Sequence, residues 1–580
     1  MSTSLKHLKT ACFCQFLLTI LILSSFSAED TEQFVFQENV MIPMSDRTML
    51  AANIFLPDEE GSFPTILIRT PYGKGDRNQG EGRFYVSHGY AVVIQDTRGR
   101  FASEGTWDPF RYDAQDGYET QQWIGQQPWC NQRIGTAGGS YVGFTQWASA
   151  PLGSPYLKTM IPVVPFTEAY HVMYSGGAYQ LALSMGWGTL VSLTPGEPVP
   201  EVDWEEAFKY LPLQTWDQAV KRDVFYLRDW IAHPARDEYW KLRGIDGNFR
   251  DVTVPILNIG GWYDIFAKET LEQINRVRHE SRDFHNRRNQ FVIMGPWAHG
   301  PNQTKVGEID FTENAILDLQ KIQLDWFNYW LKHEETGVED WSPYRLFIMG
   351  ENVWRDEHEF PLARTQFTSY YLHSSGRANT LEGDGTLSTR EPSSEQADTF
   401  VYDPENPVPT MGGNNLFGTK IGPYDQREVE QREDVLVYTT EPLTGDIEVT
   451  GPVKMILYAS SSAKDTDFTA KLVDVYPDGK AINLCDGIIR ARYRNSDTDL
   501  ELIQPDNVYK FEIDLWVTSN LFKKDHRIRL EISSSNFPRF DRNPNTGNPF
   551  GSDTELIQAT QKIYHDEYHP SHLILPIIPR

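Results

Sequence analysis

Thr136-Ala137-Gly138-Gly139-Ser140-Tyr141-Val142-Gly143 sets a serine between glycines where a short apolar strand hands over to a helix. A serine hydroxyl is a weak nucleophile at neutral pH. A catalytic one therefore needs a sharp turn that exposes its oxygen to a base and to an oxyanion site. Gly138, two residues before Ser140, permits such a turn, and Gly143, three after it, leaves room where the helix packs on the strand. The spacing G-x-S-Y-x-G departs from the plainer G-x-S-x-G. Alone it suits an ordinary strand-to-helix turn as well as a nucleophile at Ser140, so the surrounding chain decides.

Residues 63–69 and 91–96 are short β-rich runs, nearly all apolar, as strands covered on both faces are. Helical stretches lie between and after them. Residues 113–127 open on Asp113, a residue suited to capping, and 141–150 run until Pro151 stops them. Further strands are expected at 160–164, 254–259 and 291–294. Strands alternating with helices imply a mostly parallel, doubly wound sheet. Two strand ends carry chemistry: Gly260-Gly261-Trp262-Tyr263-Asp264 places an acid just past one, and Gly295-Pro296-Trp297-Ala298-His299 a histidine just past the next. Functional side chains of open parallel sheets gather at such carboxyl ends, and Ser140, Asp264, His299 is the chain order of an α/β-hydrolase triad.

The strand rhythm breaks between 166 and 247, where helix formers and tryptophans predict a helical cap (166–247) inserted in a core of 29–165 and 248–342. Residues 315–333 read as a long amphipathic helix closing that core. From 343 to 580 the period becomes two: Phe511, Ile513, Leu515 and Val517 alternate with mostly polar neighbours, as do Ile528, Leu530 and Ile532. That region reads as a β-sandwich of jelly-roll type, with a polar surface loop over 374–398.

Lys6 and Lys9, an apolar run over 16–23 and the small residues Ser24, Ser25, Ser27 and Ala28 form a signal-peptide pattern over 1–28, predicting a secreted or periplasmic protein without stable membrane insertion. Cys130 and Cys485 are expected to be separate buried thiols rather than a scaffold. A formal net charge of -27 argues against a nucleic-acid partner.

With Ser140, Asp264 and His299 placed, the chain resembles the cocaine esterase and X-prolyl dipeptidyl peptidase family of serine hydrolases over nearly all of its mature length. The signatures are Arg69-Thr70-Pro71-Tyr72, Asp96-Thr97-Arg98-Gly99, Gly138-Gly139-Ser140-Tyr141-Val142-Gly143, Gly261-Trp262-Tyr263-Asp264, Gly295-Pro296-Trp297-Ala298-His299-Gly300 and Asp467-Phe468-Thr469-Ala470-Lys471-Leu472. The resemblance implies an α/β-hydrolase core, a helical cap and a C-terminal jelly roll, with no cofactor. It also implies an oxyanion hole made by the hydroxyl of Tyr72 and the backbone N–H of Tyr141, and an acyl pocket lined by Trp187 and Phe266. The substrate is then a small-molecule ester or amide. Ile265-Phe266-Ala267 after Asp264 favours apolar esters over substrates with a free α-amine, which need carboxylates there. X-Pro dipeptidyl peptidase, α-amino-acid ester hydrolase or acylase chemistry, and a carbohydrate-binding protein with a vestigial hydrolase domain, are the alternatives; a homodimer is left open.

Three other signals are set aside. His565, His569 and His572 have a metal-like spacing, but Asp566 stands where a metalloprotease helix needs Glu and Pro570 interrupts the run. The glycines of Tyr72-Gly73-Lys74-Gly75 lack P-loop spacing. Asn302-Gln303-Thr304 is a glycosylation sequon too close to His299 to carry a glycan without obstructing the site.

Overall fold

The computed structural model describes residues 33–580 except 195, 418 and 419; the leader expected at 1–28 lies outside the described residues. The first domain is built on ten strands: β1 (Val35–Pro43), β2 (Met49–Leu56), β3 (Phe63–Thr70), β4 (Ala91–Asp96), β5 (Cys130–Gly139), β6 (Leu157–Val163), β7 (Ile256–Gly261), β8 (Gln290–Gly295), β9 (Tyr344–Ile348) and β10 (Val353–Glu357). Their spatial order is β1-β2-β4-β3-β5-β6-β7-β8-β9-β10. Pairs from β4 to β9 are parallel, and those at the two edges antiparallel. Strands β4, β7 and β8 are buried along their whole length, as helices on both faces require. The main helices are α1 (Gly80–Ser87), α2 (Asp113–Gly125), α3 (Tyr141–Ser149), α4 (Leu181–Val191), α5 (Ala267–Glu280) and α6 (Leu319–Phe327). This is an α/β-hydrolase-like domain.

Four details differ from the sequence reading. Strands β9 and β10 belong to this sheet, β9 pairing in parallel with β8 and β10 antiparallel with β9, so the β-rich domain starts after Glu357 rather than at 343. Alternation reports that a strand exists but not which sheet it joins. The antiparallel pair β1 and β2 adds an edge that the sequence reading did not assign. The expected helix over 315–333 begins only at Leu319, where the Asp318 carboxylate accepts from Lys321 N at 3.0 Å, and it widens into a π-turn over Asn328–Lys332. Asp113 does not cap α2, whose N-cap is Tyr112; its carboxylate turns inward.

Between β6 and β7 the chain leaves the sheet for short helices, among them α4 and Phe225–Ala232, and a hairpin of Tyr174–Ser175 with Ala178–Tyr179. That hairpin is docked on the second domain. Arg490 N donates to Gly176 O at 2.8 Å, and Tyr179 N to Asp541 Oδ1 at 2.8 Å. Gly176 has φ +53, and a Cβ there would lie 2.0 Å from Ile488 O, so only glycine permits this approach.

The second domain is all-β. Its eleven strands form one mostly antiparallel network from Gln366–His373 to His572–Ile578, with Ile447–Ser461 and Tyr509–Phe522 as its longest pair. Phe511, Ile513 and Leu515 are fully buried there, as their alternation predicts. The 374–398 stretch contains one short strand, Thr386–Ser388. Cys130 and Cys485 are both buried and free. Among the described residues no helix is long and apolar enough to cross a membrane.

Candidate active site

Ser140 stands between β5 and α3 with φ 59° and ψ -123°, a conformation that non-glycine residues rarely adopt. The surroundings enforce it. Ser140 N donates to Val163 O at 2.9 Å on the neighbouring strand, and Phe144 N to Ser140 O at 2.9 Å. Gly138 has φ +123 and lies against Val142, where a Cβ would come within 2.2 Å of Cγ1. At Gly143 a Cβ would press on Val163 O and Pro165 at 3.1 and 3.2 Å. Gly138 is thus required by its backbone and by the close approach of Val142, while at Gly143 a side chain would fit only tightly.

Asp264 lies three residues past β7 and His299 four past β8, and the two turns are interlocked. Trp262 N donates to Gly295 O and Tyr263 N to Trp297 O, each at 2.9 Å. A Cβ on Gly261 would sit 2.2 Å from Trp297 O, so a glycine is needed where the turns touch. This brings His299 Nδ1 to 2.5 Å from Asp264 Oδ2, with both side chains buried. The other carboxylate oxygen accepts from Phe266 N at 2.7 Å. His299 Nε2 is buried and makes no hydrogen bond, so the Asp264–His299 pair is formed and the bond from His299 to Ser140 is not.

Tyr72 lies two residues past β3. Its hydroxyl accepts from Trp187 Nε1 at 3.1 Å and also meets the Ser140 side chain, which places it against the nucleophile with a proton of its own to give. Burial pushes the Tyr72 pKa up to about 12, against smaller opposing effects of Trp187, Arg100 and Ser140, so it remains a donor throughout the neutral range. Tyr141 is fixed by the far end of its ring: its hydroxyl donates to Asp113 Oδ2 at 2.6 Å and accepts from Phe110 N at 2.8 Å. Its backbone N–H, in the first turn of α3, has no intrahelical acceptor by position. Tyr72 and Tyr141 thus offer two donors beside Ser140.

Burial, partly offset by Arg69 and the Tyr141 hydroxyl, raises the Asp113 pKa from 3.8 to about 6. A raised carboxyl pKa stabilises the fold below the unfolded value, and that contribution is lost as pH rises through about 6. The displacement makes ionisation cost on the order of 3 kcal/mol at neutral pH. Asp113→Asn is therefore expected to gain in Tm relative to wild type between pH 4 and pH 7.5, measured by calorimetry across that range. A pH-independent difference would contradict this assignment.

Trp187 and Phe266 belong to one apolar cluster together with Phe110, Tyr141, Phe166 and Trp230. The Trp187 ring stacks on Phe110 and Trp230 at 5.5 and 6.0 Å, and the Phe266 ring meets His299 edge-on at 5.6 Å. Two members that the sequence reading missed come from the second domain: Leu416 and Phe417 are buried in the same cluster, Phe417 lying against Gly186 of α4. No local pattern marks them, since they arrive more than a hundred residues later in the chain.

The residues set aside have other occupations. His565 Nε2 lies 2.9 Å from Asp398 Oδ2, His569 pairs with Asp566, and His572 Nδ1 contacts Pro570 O, so the three do not converge. Among the described residues no group of three or more His, Cys, Asp or Glu is arranged to hold a metal ion. The Asn302 amide is engaged with the backbone of Leu317 in both directions, at 2.9 and 2.8 Å.

Two family models match the chain. X-Pro dipeptidyl-peptidase (S15 family) covers residues 46–301, and the X-Pro dipeptidyl-peptidase C-terminal non-catalytic domain covers 336–574. Cocaine esterase of Rhodococcus sp. (strain MB1 Bresler) is 38% identical over 571 residues, spanning 93% of this chain and 98% of that protein. Among solved structures, an aminopeptidase from the marine sediment archaeon Thaumarchaeota archaeon superposes with a TM-score of 0.81 at 23% identity, covering 96% of this chain and 99% of the other. An α-amino acid ester hydrolase does so with a TM-score of 0.78 at 24% identity, covering 96% and 98%. At those identities the two structures speak for the fold alone.

Proposed function

The chain belongs to the cocaine esterase and X-Pro dipeptidyl-peptidase (S15) family and is a serine hydrolase, and we propose that it cleaves carboxylic esters of apolar acyl groups through Ser140, His299 and Asp264. In this reading Ser140 Oγ attacks the ester carbonyl carbon while its proton passes to His299 Nε2. Asp264, on the far nitrogen, holds the imidazole tautomer and stabilises the imidazolium. The negative charge gathered on the carbonyl oxygen is met by the Tyr72 hydroxyl and the Tyr141 N–H. His299 then gives its proton to the departing alcohol, leaving an acyl group on Ser140. A water attacks that ester by the same steps in reverse roles, releasing the acid and restoring the serine.

The observation that carries the ester reading is the wall beside His299. Ile265 and Phe266 are buried members of the apolar cluster, and the first acid after Asp264 in the chain, Glu269, is turned onto Thr167, whose N–H donates to it at 2.9 Å. Burial pushes the Glu269 pKa up to about 8, and its Oε2 is already held by the N–H and the hydroxyl of Thr167. A buried ammonium without a carboxylate is penalised in both binding and the transition state. For p-nitrophenyl esters of apolar acids, kcat/KM is expected to exceed that for Ala-Pro and Gly-Pro anilides by about 10² or more, and Phe266→Glu to narrow the gap. Equal turnover of the two substrate types would move the assignment to dipeptidyl peptidase chemistry.

Export is part of the same proposal and rests on the leader pattern over 1–28. N-terminal sequencing of the mature protein is expected to begin next to Ser27 or Ala28, and a start at Met1 would remove it.

A further inference from the structure

The turn that carries Asp264 is gripped from the other domain. Asn414 belongs to the all-β domain, 150 residues along the chain from Asp264, and is 2% exposed. Its Nδ2 group donates to Trp262 O at 2.9 Å and to Asp264 O at 2.7 Å, using both of its N–H bonds. Tyr263, between those carbonyls, donates its hydroxyl to Asn483 O of the same domain at 3.3 Å. Hydrogen bonds tie down the residues on either side of Asn414. Gly413 and Gly422 exchange backbone hydrogen bonds of 2.7 and 2.9 Å, and Asn415 Nδ2 donates to Gly412 O at 2.7 Å and Lys420 O at 3.0 Å. Gly412 and Gly413 have φ +74 and +100, which fits this tight course to glycine.

Asp264 stands beyond the end of β7, where the sheet ladder no longer dictates the path of the chain. What fixes its carboxylate on His299 is therefore the set of bonds made by the turn itself. Backbone bonds supply part of that set, with Asp264 N on Gly261 O at 3.1 Å and Ala267 N on Asp264 O at 3.2 Å. The shortest bond to the Asp264 carbonyl comes from Asn414.

We propose that Asn414 is a positioning residue for the Asp264–His299 pair, so that the all-β domain takes part in catalysis by holding the acid of the triad in register. The inference rests on the triad reading given above. Asn414→Asp keeps the shape of the side chain but replaces two donors by a carboxylate facing two carbonyl oxygens. Asn414→Ala removes the group, and Asn414→Thr retains a single hydroxyl donor.

The test measures kcat, KM, the pH profile of kcat/KM and Tm for these three variants on a p-nitrophenyl ester, with Asp264→Asn as the control. For Ala and Asp, kcat is expected to fall about 10- to 100-fold with KM within about twofold, the scale set by sub-ångström misplacement of catalytic groups. The acid limb of the profile should move to lower pH, because a misaligned Asp264 stabilises the imidazolium less. Thr should recover part of the loss. Lower Tm with kcat and pH profile unchanged would overturn the proposal and leave Asn414 as a docking residue only. If Ala does not fold, Asp and Thr carry the same comparison. Full activity in Asp264→Asn would instead sink the triad reading itself, so the two failures are distinguishable.

Discussion

Ser140→Ala is expected to lower kcat by at least about 10⁴, with the fold and Tm nearly unchanged. The magnitude follows from the proposed role: with Ser140 as nucleophile, its loss closes the acyl-enzyme route and leaves only the proposed oxyanion donors and substrate binding to assist direct attack by water. The fold should survive because the strain at φ 59° belongs to the backbone and is shared by alanine, while the bonds that hold the turn, Ser140 N to Val163 O and Phe144 N to Ser140 O, are main-chain bonds. Stopped-flow and steady-state assays on the same ester, with circular dichroism beside them, provide the check. Retention of more than a few per cent of activity would remove Ser140 from the role.

Tyr72→Phe is expected to lower kcat by about 10² to 10³ with KM little changed, since one oxyanion donor contributes about 2.7 to 4 kcal/mol and acts mainly on the tetrahedral intermediate. The substitution also orphans Trp187 Nε1, which now donates to the Tyr72 oxygen. A buried unpaired donor costs about 1 to 3 kcal/mol and would lower Tm as well. The double variant with Trp187→Phe separates the two effects: stability should return, and kcat should not. A raised KM with kcat intact would make Tyr72 a substrate-binding residue instead.

The parts of the site that were legible in the sequence share a physical property: each is announced by its immediate neighbours. The turn of Ser140 needs Gly138 and is tight at Gly143 because strand and helix meet there, and the turn of Asp264 needs Gly261 because it touches the turn of His299. These requirements act within a few residues and leave a spacing that can be read. Tyr72, Trp187 and Phe266 needed the family resemblance, since an aromatic residue in an apolar stretch looks the same whether it packs a core or faces a substrate.

Asn414, Leu416 and Phe417 were illegible because their contacts cross between domains. An asparagine beside two glycines reads as a turn, and here it makes one, yet its amide reaches the carbonyl of Asp264. Asp113 misled for the opposite reason. Its position suits a helix cap, but the Tyr141 hydroxyl within reach holds it inward, where the partner matters more than the propensity. Strands β9 and β10 were assigned to the wrong domain because pairing partners are a property of topology, and a period of two is the same in either sheet.

Ser140 is expected to carry the acyl group during turnover. Incubation of the purified protein with a fluorophosphonate, followed by peptide mass spectrometry, tests it most directly. The expected result is one adduct per chain on the peptide containing Ser140, formed in step with the loss of esterase activity and absent from Ser140→Ala. An unlabelled Ser140 in an inhibited enzyme, or full ester hydrolysis by a protein labelled there, would contradict it.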